Sequence, residues 1–262
     1  MRTDQAVLET RDLTMNFGGH VAVDRVSCRF SKGTLASIVG PNGAGKTTWF
    51  NLISGQLKAS AGQVILNGEE LTGLSAAQRA DKGLGRAFQL TNLFPQLTAL
   101  ENVRLAVAAR HRIGHVFWQL ASKRRDLTDR AMYYLTQVDL GKRAGYPVFG
   151  LPHGDQRKLE VAMMLALEPE VFMFDEPTAG MSVHEMPVIL DLIADIKKQQ
   201  EHVILLVEHK MDVVRSLSDR IVVLHNGELV ADGEPAEVIA SPIVQEAYLG
   251  VSPDDDAEGA HG

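Results

Sequence analysis

Gly40-Pro41-Asn42-Gly43-Ala44-Gly45-Lys46-Thr47 follows the apolar run Leu35–Val39 and leads into Thr48-Trp49-Phe50-Asn51-Leu52-Ile53, a stretch compatible with helix. It fits G-x-x-x-x-G-K-[ST]. The glycines let successive backbone N–H groups turn inward around a polyphosphate, a helix opening near Lys46 adds the positive end of its dipole, and the Lys46 ammonium reaches the outer phosphates. Thr47 offers its hydroxyl to Mg2+. A glycine-rich turn before an ordinary helix is the plain alternative, and the strand ahead of it with the helix behind argue against that. Gly40, Pro41, Asn42, Gly43, Ala44, Gly45, Lys46, Thr47 and Thr48 are therefore the candidate nucleotide-binding residues.

A nucleotide site also needs an acid for the metal and a group to position water. Val171-Phe172-Met173-Phe174 ends in Asp175-Glu176, which sets Asp175 at the carboxyl end of a strand, where open α/β sheets bind ligands, with Glu176 next to it as base or water-orienter. Taken alone this is weak, since many strands end in an acidic turn. Val203–Val207 ends in Glu208-His209, so His209 is expected at the same edge as Asp175, able to donate a hydrogen bond to a γ-phosphate oxygen. A surface or capping histidine is the alternative there.

Around these runs the pattern is that of an α/β protein, apolar strands alternating with helical stretches. Leu35–Val39, Val171–Phe174, Val203–Val207 and Ile221–Leu224 are the clearest strands. Asn67-Gly68 and Asn226-Gly227 read as tight hairpins, so part of the sheet is antiparallel. Residues 93–168 have helical periodicity and read as a helical insert, giving a core of about 1–92 and 169–250. Residues 251–262 form an acidic tail expected to be disordered.

The 262 residues carry 26 Lys and Arg against 33 Asp and Glu, a net charge of −7 that excludes a generally basic nucleic-acid coat. The single cysteine, Cys28, allows no internal disulfide and fits a reducing, cytoplasmic setting. The N-terminal residues do not read as a secretory leader and no stretch reads as a spanning helix, so work at a membrane is expected to need another chain to cross it. Arg104, Arg110, Arg112, Lys123, Arg124, Arg125 and Arg130 gather in the helical insert beside Phe117 and Trp118. They read as a solvated helical face, as a surface toward a membrane partner or anionic headgroups, or, least in keeping with the acidic chain, as a nucleic-acid site.

The order of elements resembles the ATP-binding subunit of an ABC transporter, from about Val7 to Gly250: the loop Gly40–Thr48, Gln89 in Ala87-Phe88-Gln89, Leu151-Pro152-His153-Gly154-Asp155-Gln156-Arg157, Asp175-Glu176, then His209. The resemblance implies a P-loop NTPase core, a mixed sheet with an antiparallel β subdomain plus an inserted helical subdomain. It also implies an Mg2+-dependent ATPase that acts as a dimer. By it Phe17 stacks on adenine just ahead of the first strands, with a half-buried core aromatic as the alternative. Gln89 contacts the metal or the attacking water, and the metal set is Thr47, Gln89 and Asp175. The catalytic set is Glu176, His209, Gln89 and Lys46.

The segment 151–157 corresponds to the family's Leu-Ser-Gly-Gly-Gln motif, which binds the γ-phosphate of ATP held by the opposite subunit. A helix is expected to begin near Asp155, with His153, Gly154 and Asp155 at its N-terminus. Pro152 stands for the serine and His153 for the first glycine, so either the opposite site is weaker or His153 and the N–H groups around Gly154 compensate. Ser182 stands where many members have aspartate, in Ala179-Gly180-Met181-Ser182. The subgroup resembled is that of branched-chain amino acid and urea importers. The resemblance implies a homodimer or a heterodimer with a paralogue, transmembrane permease subunits, an indirect periplasmic solute-binding protein, no nucleic acid, and a place on the cytoplasmic face of the inner membrane. An ATPase of the lipopolysaccharide-exporter type and a soluble ABC protein acting on ribosomes or DNA are the alternatives.

Overall fold

The computed structural model describes residues 6–87, 93–111, 120–181 and 183–249. Gln89, Arg112, Phe117, Trp118, Ser182 and the acidic tail lie outside the described residues, as do the side chains of Lys123 and Arg124. The chain divides into two compact units, one made of the chain through Lys82 and from Gln200 onward, the other of Gly83–Gln199.

The first unit begins with β1 (Ala6–Phe17) and β2 (His20–Ser31), a long hairpin turning at Gly18-Gly19. Phe17 is thus the last residue of the first strand, where the sequence placed it ahead of the strands. The strand is hard to see in the sequence because its pairing slips between Thr10 and Leu13 and again between Leu13 and Met15. Asp12 and Arg25 sit there at φ 45° and 47°. Each irregularity resets the in–out alternation that marks a strand. β3 (Leu35–Val39) runs buried along its whole length into the glycine-rich loop, and α1 (Lys46–Ser54) follows. Trp49, Phe50, Leu52 and Ile53 turn inward from α1, and the Trp49 ring lies 6.3 Å from that of Phe30 on β2. β4 (Ala61–Leu66) and β5 (Glu69–Glu70) complete an antiparallel sheet ordered β2-β1-β4-β5. Asn67 and Gly68 make the turn between them at φ 51° and 80°, the paired positive dihedrals a tight hairpin needs.

α2 (Ala76–Asp81) starts at a capping box of Ser75 and Gln78. Its Arg79 is fully buried and donates to the carbonyls of Leu52 and Ile53 (2.6 and 2.7 Å), Thr72 (2.9 Å) and Leu74 (3.1 Å), closing the C-terminus of α1.

In the second unit β6 (Leu84–Ala87) precedes three helices: α3 (Ala99–Arg110), α4 (Leu120–Gln137) and α5 (His153–Ala166). These are the helices expected between residues 93 and 168. Thr98 and Glu101 cap α3 reciprocally. α5 opens at His153, two residues earlier than expected. Pro152 sits at its N-cap with φ −55° and ψ 155°, a ring-fixed torsion that starts a helix without needing its missing N–H. β7 (Val171–Asp175) pairs in parallel with β6, Arg86 opposite Met173 and Ala87 opposite Phe174. α6 (Met186–Lys198) buries Ile189, Leu192, Ile193 and Ile196, the spacing of one helical face.

The chain returns to the first unit through β8 (Val203–Val207), α7 (Met211–Leu217), β9 (Arg220–His225) and β10 (Glu228–Gly233), and ends in α8 (Pro235–Ala240) and α9 (Pro242–Leu249). β3 lies between β8 and β9, parallel to both, and β10 returns antiparallel to β9 through Asn226-Gly227. β3 and β8 are buried at every position, as parallel strands covered on both faces are. Among the described residues no helix is long and apolar enough to cross a membrane.

Candidate functional site

The loop between β3 and α1 is shaped by contacts that only glycine permits. Gly45 has φ 95°, and a Cβ there would lie 2.5 Å from the carbonyl oxygen of Ala22. Gly40 has φ 151°, and a Cβ there would lie 2.1 Å from that of Leu224. The loop is pinned by Ala44 N–H to Pro41 (3.2 Å), Gly227 N–H to Ala44 (3.1 Å) and Trp49 N–H to Gly45 (2.8 Å). Asn42, Gly43 and Thr47 are exposed, whereas Ala44 is buried. The Lys46 ammonium folds over the loop, donating to the carbonyls of Gly40 (2.7 Å) and Pro41 (2.9 Å). α1 has no acid in its first turn, so nothing offsets the positive end of its dipole. Backbone N–H groups, a cation and a helix N-terminus on one partly exposed loop form a cradle whose chemistry fits a polyphosphate.

Phe17 stands at the tip of the β1–β2 hairpin, 48% exposed, so it is not a core aromatic. A ring so exposed can stack a base. His209 follows β8 in the same unit and is exposed. Its backbone N–H and that of Lys210 both donate to the buried Glu208 carboxylate (2.9 and 3.2 Å). Glu208 therefore fixes the turn that presents the imidazole. In the sequence it looked like only the acidic end of a strand.

Asp175 and Glu176 belong to the second unit. Asp175 ends β7 and is buried, and the Arg86 guanidinium, also buried, donates to its Oδ2 at 2.7 Å. Burial pulls the Arg86 guanidinium below its usual value, and the Asp175 charge opposes that. Glu176 has φ 49° and its carbonyl accepts from the N–H of Ala179 (3.0 Å). A left-handed backbone on a side chain of this size costs roughly 1–2 kcal/mol, and strain of this kind concentrates at functional turns. Among the described residues no three of His, Cys, Asp and Glu form a metal cage. Asp175 in this unit and Thr47 in the other are each a hard oxygen donor of the kind magnesium takes.

At the N-terminus of α5, His153 is exposed while Gly154 and Asp155 are buried. The Asp155 carboxylate is ion-paired with Arg143 and lies 3.8 Å from the Lys158 ammonium, so Asp155 itself presents no free acid at the opening of α5. The His153 ring packs against Gly180, where a Cβ would stand 3.8 Å from its Cε1. Glu185, at the start of α6, lies over Gly154, where a Cβ would be 2.1 Å from Oε1. Neither Arg143 nor Glu185 was legible as a neighbour of this segment, because each comes from a separate part of the chain. Burial raises the carboxyl of Glu160 above its ordinary value despite the Arg157 guanidinium 3.1 Å away.

Residues 23–179 match the ABC transporter family and residues 228–254 the branched-chain amino acid ATP-binding cassette transporter family. The chain is 38% identical over 252 residues to the high-affinity branched-chain amino acid transport ATP-binding protein BraF of Pseudomonas aeruginosa, covering 93% of this chain and 98% of that protein. A crystal structure of the ADP conformation of an ATP-binding cassette of an ABC transporter is similar at TM-score 0.79 and 27% identity, over 94% of this chain and 100% of that one. A dimeric cassette in a post-hydrolysis state bound to ADP and Pi is similar at TM-score 0.74 and 25% identity, over 87% and 98%. With a P-loop NTPase fold, a glycine cradle before α1 and these relatives, the chain belongs to the ABC transporter family of ATP-binding proteins, which are ATPases.

Proposed function

We propose that this chain is the Mg2+-dependent ATP-hydrolysing subunit of an importer for branched-chain or other hydrophobic amino acids, one ATP-binding domain over residues 1–250 with a helical subdomain near 93–168. The observation that carries it is the loop Gly40–Thr48, shaped by close approaches at Gly40 and Gly45 and crowned by Lys46. The likeness to a branched-chain amino acid transport protein supports the substrate class.

In this reading Phe17 stacks on adenine and residues 40–48 hold the phosphates. Lys46 and the dipole of α1 stabilise the charge that grows on the γ-phosphoryl group as water attacks. Glu176 orients or deprotonates that water, His209 donates to a γ-phosphate oxygen, and Gln89 completes the positioning. Thr47, Gln89 and Asp175 hold Mg2+, which neutralises phosphate charge when bound. A second copy or a paralogue supplies His153, Gly154 and Asp155 through the N–H groups that open its α5, and the dimeric relative supports such a pair.

Exposed Phe94, Tyr146 and Phe149 support a permease partner. They are drawn into one patch because Phe149 N–H donates to Pro95 (3.1 Å), Ala99 N–H to Tyr146 (3.0 Å), and Asn102 holds both backbone groups of Phe94 (2.8 and 3.2 Å). Aromatic side chains fixed on a surface are a common anchor for a partner chain. The protein would then sit peripherally on the cytoplasmic face of the inner membrane, served indirectly by a periplasmic solute-binding protein.

The test is Glu176→Gln. ATP binding should persist, turnover should be abolished, and the ATP-bound variant should run as a dimer on size exclusion. Hydrolysis at the native rate would remove Glu176 from its role.

A further inference from the structure

We propose that Arg86 is a positioning residue for the metal carboxylate. It aims Asp175 and neutralises it, so that a divalent cation binds there together with nucleotide and not alone. The inference rests on the reading of Asp175 as the magnesium carboxylate.

Arg86 is the third residue of β6, the strand that leads to Ala87 and Gln89, and no phosphate-binding motif includes it. The parallel register sets Arg86 opposite Met173 and Ala87 opposite Phe174, so the guanidinium reaches forward along the sheet to the carboxylate that ends β7. It donates through Nη2 to Oδ2 at 2.7 Å, with the two side chains 7% and 2% exposed. A guanidinium hydrogen-bonded to one carboxylate oxygen holds that oxygen in place and leaves the other to a second ligand. In a site this dry the attraction between charges is screened far less than in water.

The electrostatic consequence follows from the sum of charges. A buried carboxylate with no counter-ion would attract a bare divalent cation strongly. The Arg86–Asp175 pair is neutral, so a cation arriving alone gains little. A cation arriving with ATP is already held by phosphate oxygens, which supply the negative charge, and needs only the remaining carboxylate oxygen from the protein. Binding of metal and nucleotide is thereby coupled through one guanidinium, held on β6 three positions before Gln89 in the sequence.

The test uses the full chain and Mn2+ alone, counted by the loss of the free-ion electron paramagnetic resonance signal, with and without a non-hydrolysable ATP analogue. Arg86→Met should bind nucleotide-free Mn2+ roughly tenfold tighter or more than the native chain, while its turnover falls. Arg86→Lys should keep the weak native binding of bare Mn2+, because it keeps the charge. Equal nucleotide-free Mn2+ affinity of native and Arg86→Met protein would overturn the proposal and leave Arg86 as a tie between β6 and β7. Should Arg86→Met not fold, Arg86→Lys carries the test: bare Mn2+ affinity at the native level with turnover down roughly tenfold supports positioning by the guanidinium, and native turnover overturns it. Asp175→Asn separates the two readings. If it leaves Mn2+ binding with the ATP analogue intact, Asp175 is not the metal carboxylate, whereas a loss there with no effect of Arg86→Met removes only the role of Arg86.

Discussion

Gly45→Ala and Gly43→Ala differ by one methyl group each in the same loop, yet the structure separates their outcomes. A Cβ on Gly45 would sit 2.5 Å from the Ala22 carbonyl oxygen, and ordinary contact begins near 3.4 Å, so the loop must move by about 0.9 Å. It cannot move freely, because Gly45 accepts from the Trp49 N–H at 2.8 Å and its neighbour Ala44 from that of Gly227 at 3.1 Å. The left-handed backbone adds roughly 1–2 kcal/mol for any side chain. A shift of that size lengthens the charge-assisted bonds from loop N–H groups to phosphate, each worth about 1.5–3 kcal/mol. Losing one of them with part of the strain amounts to about 3 kcal/mol, or roughly a hundredfold in ATP affinity. Gly43 has φ 82° but nothing within 4 Å of its Cβ position, so Gly43→Ala carries at most the backbone cost, roughly thirtyfold or less. Titration calorimetry with a non-hydrolysable ATP analogue measures both, and urea unfolding of the same samples shows how much of the cost falls on stability. Gly45→Ala binding within threefold of the native chain, or Gly43→Ala weaker than Gly45→Ala, would refute the cradle geometry.

Three further outcomes are expected. Arg79→Leu removes four hydrogen bonds, two to the buried carbonyls of Leu52 and Ile53 at the end of α1 and two to those of Thr72 and Leu74, and should lower stability by about 3 kcal/mol in urea unfolding; a change below about 1 kcal/mol would mean that those carbonyls find other partners. Cys28 is buried, which pushes its thiol from 9.0 up to about 12. The native chain should therefore resist thiol reagents at pH 8 until it unfolds, and its stability should fall by about 1.4 kcal/mol per pH unit between 9 and 12, because the unfolded thiol ionises first and the buried one stays protonated; Cys28→Ala should remove that slope and leave stability below pH 9 free of it. Pro152→Ser should leave hydrolysis within about threefold, since α5 already opens at His153 with its N–H groups in place; a rise of about tenfold or more would show that the proline weakens the opposite site.

What could be read from the sequence was whatever is local. β3, β8 and the start of α1 lie where apolar runs and the glycine spacing put them, because a buried parallel strand is a continuous apolar run and a phosphate loop is a contiguous motif. Both Asn-Gly hairpins form, since a turn is decided by its own residues. The β1–β2 hairpin was obscured by register slips at Leu13 and Met15, which erase the period-2 signal. The apolar spacing from Leu159 onward puts the start of α5 near Asp155, whereas the Pro152 torsion that opens the helix at His153 leaves no apolar mark. Arg86, Glu208 and Glu185 were invisible as site neighbours. Each is an ordinary charged residue in sequence, and only the β6–β7 register, the turn after β8 and the packing of α6 on Gly154 give it a partner.

The most direct measurement of the transport reading is affinity purification of tagged Glu176→Gln protein from its native membranes with ATP present, followed by mass spectrometry of the retained chains. Two multi-spanning permeases, a paralogous ATP-binding chain and a periplasmic solute-binding protein with affinity for branched-chain amino acids are expected. Retention of ribosomal or DNA-repair proteins with no permease would contradict it.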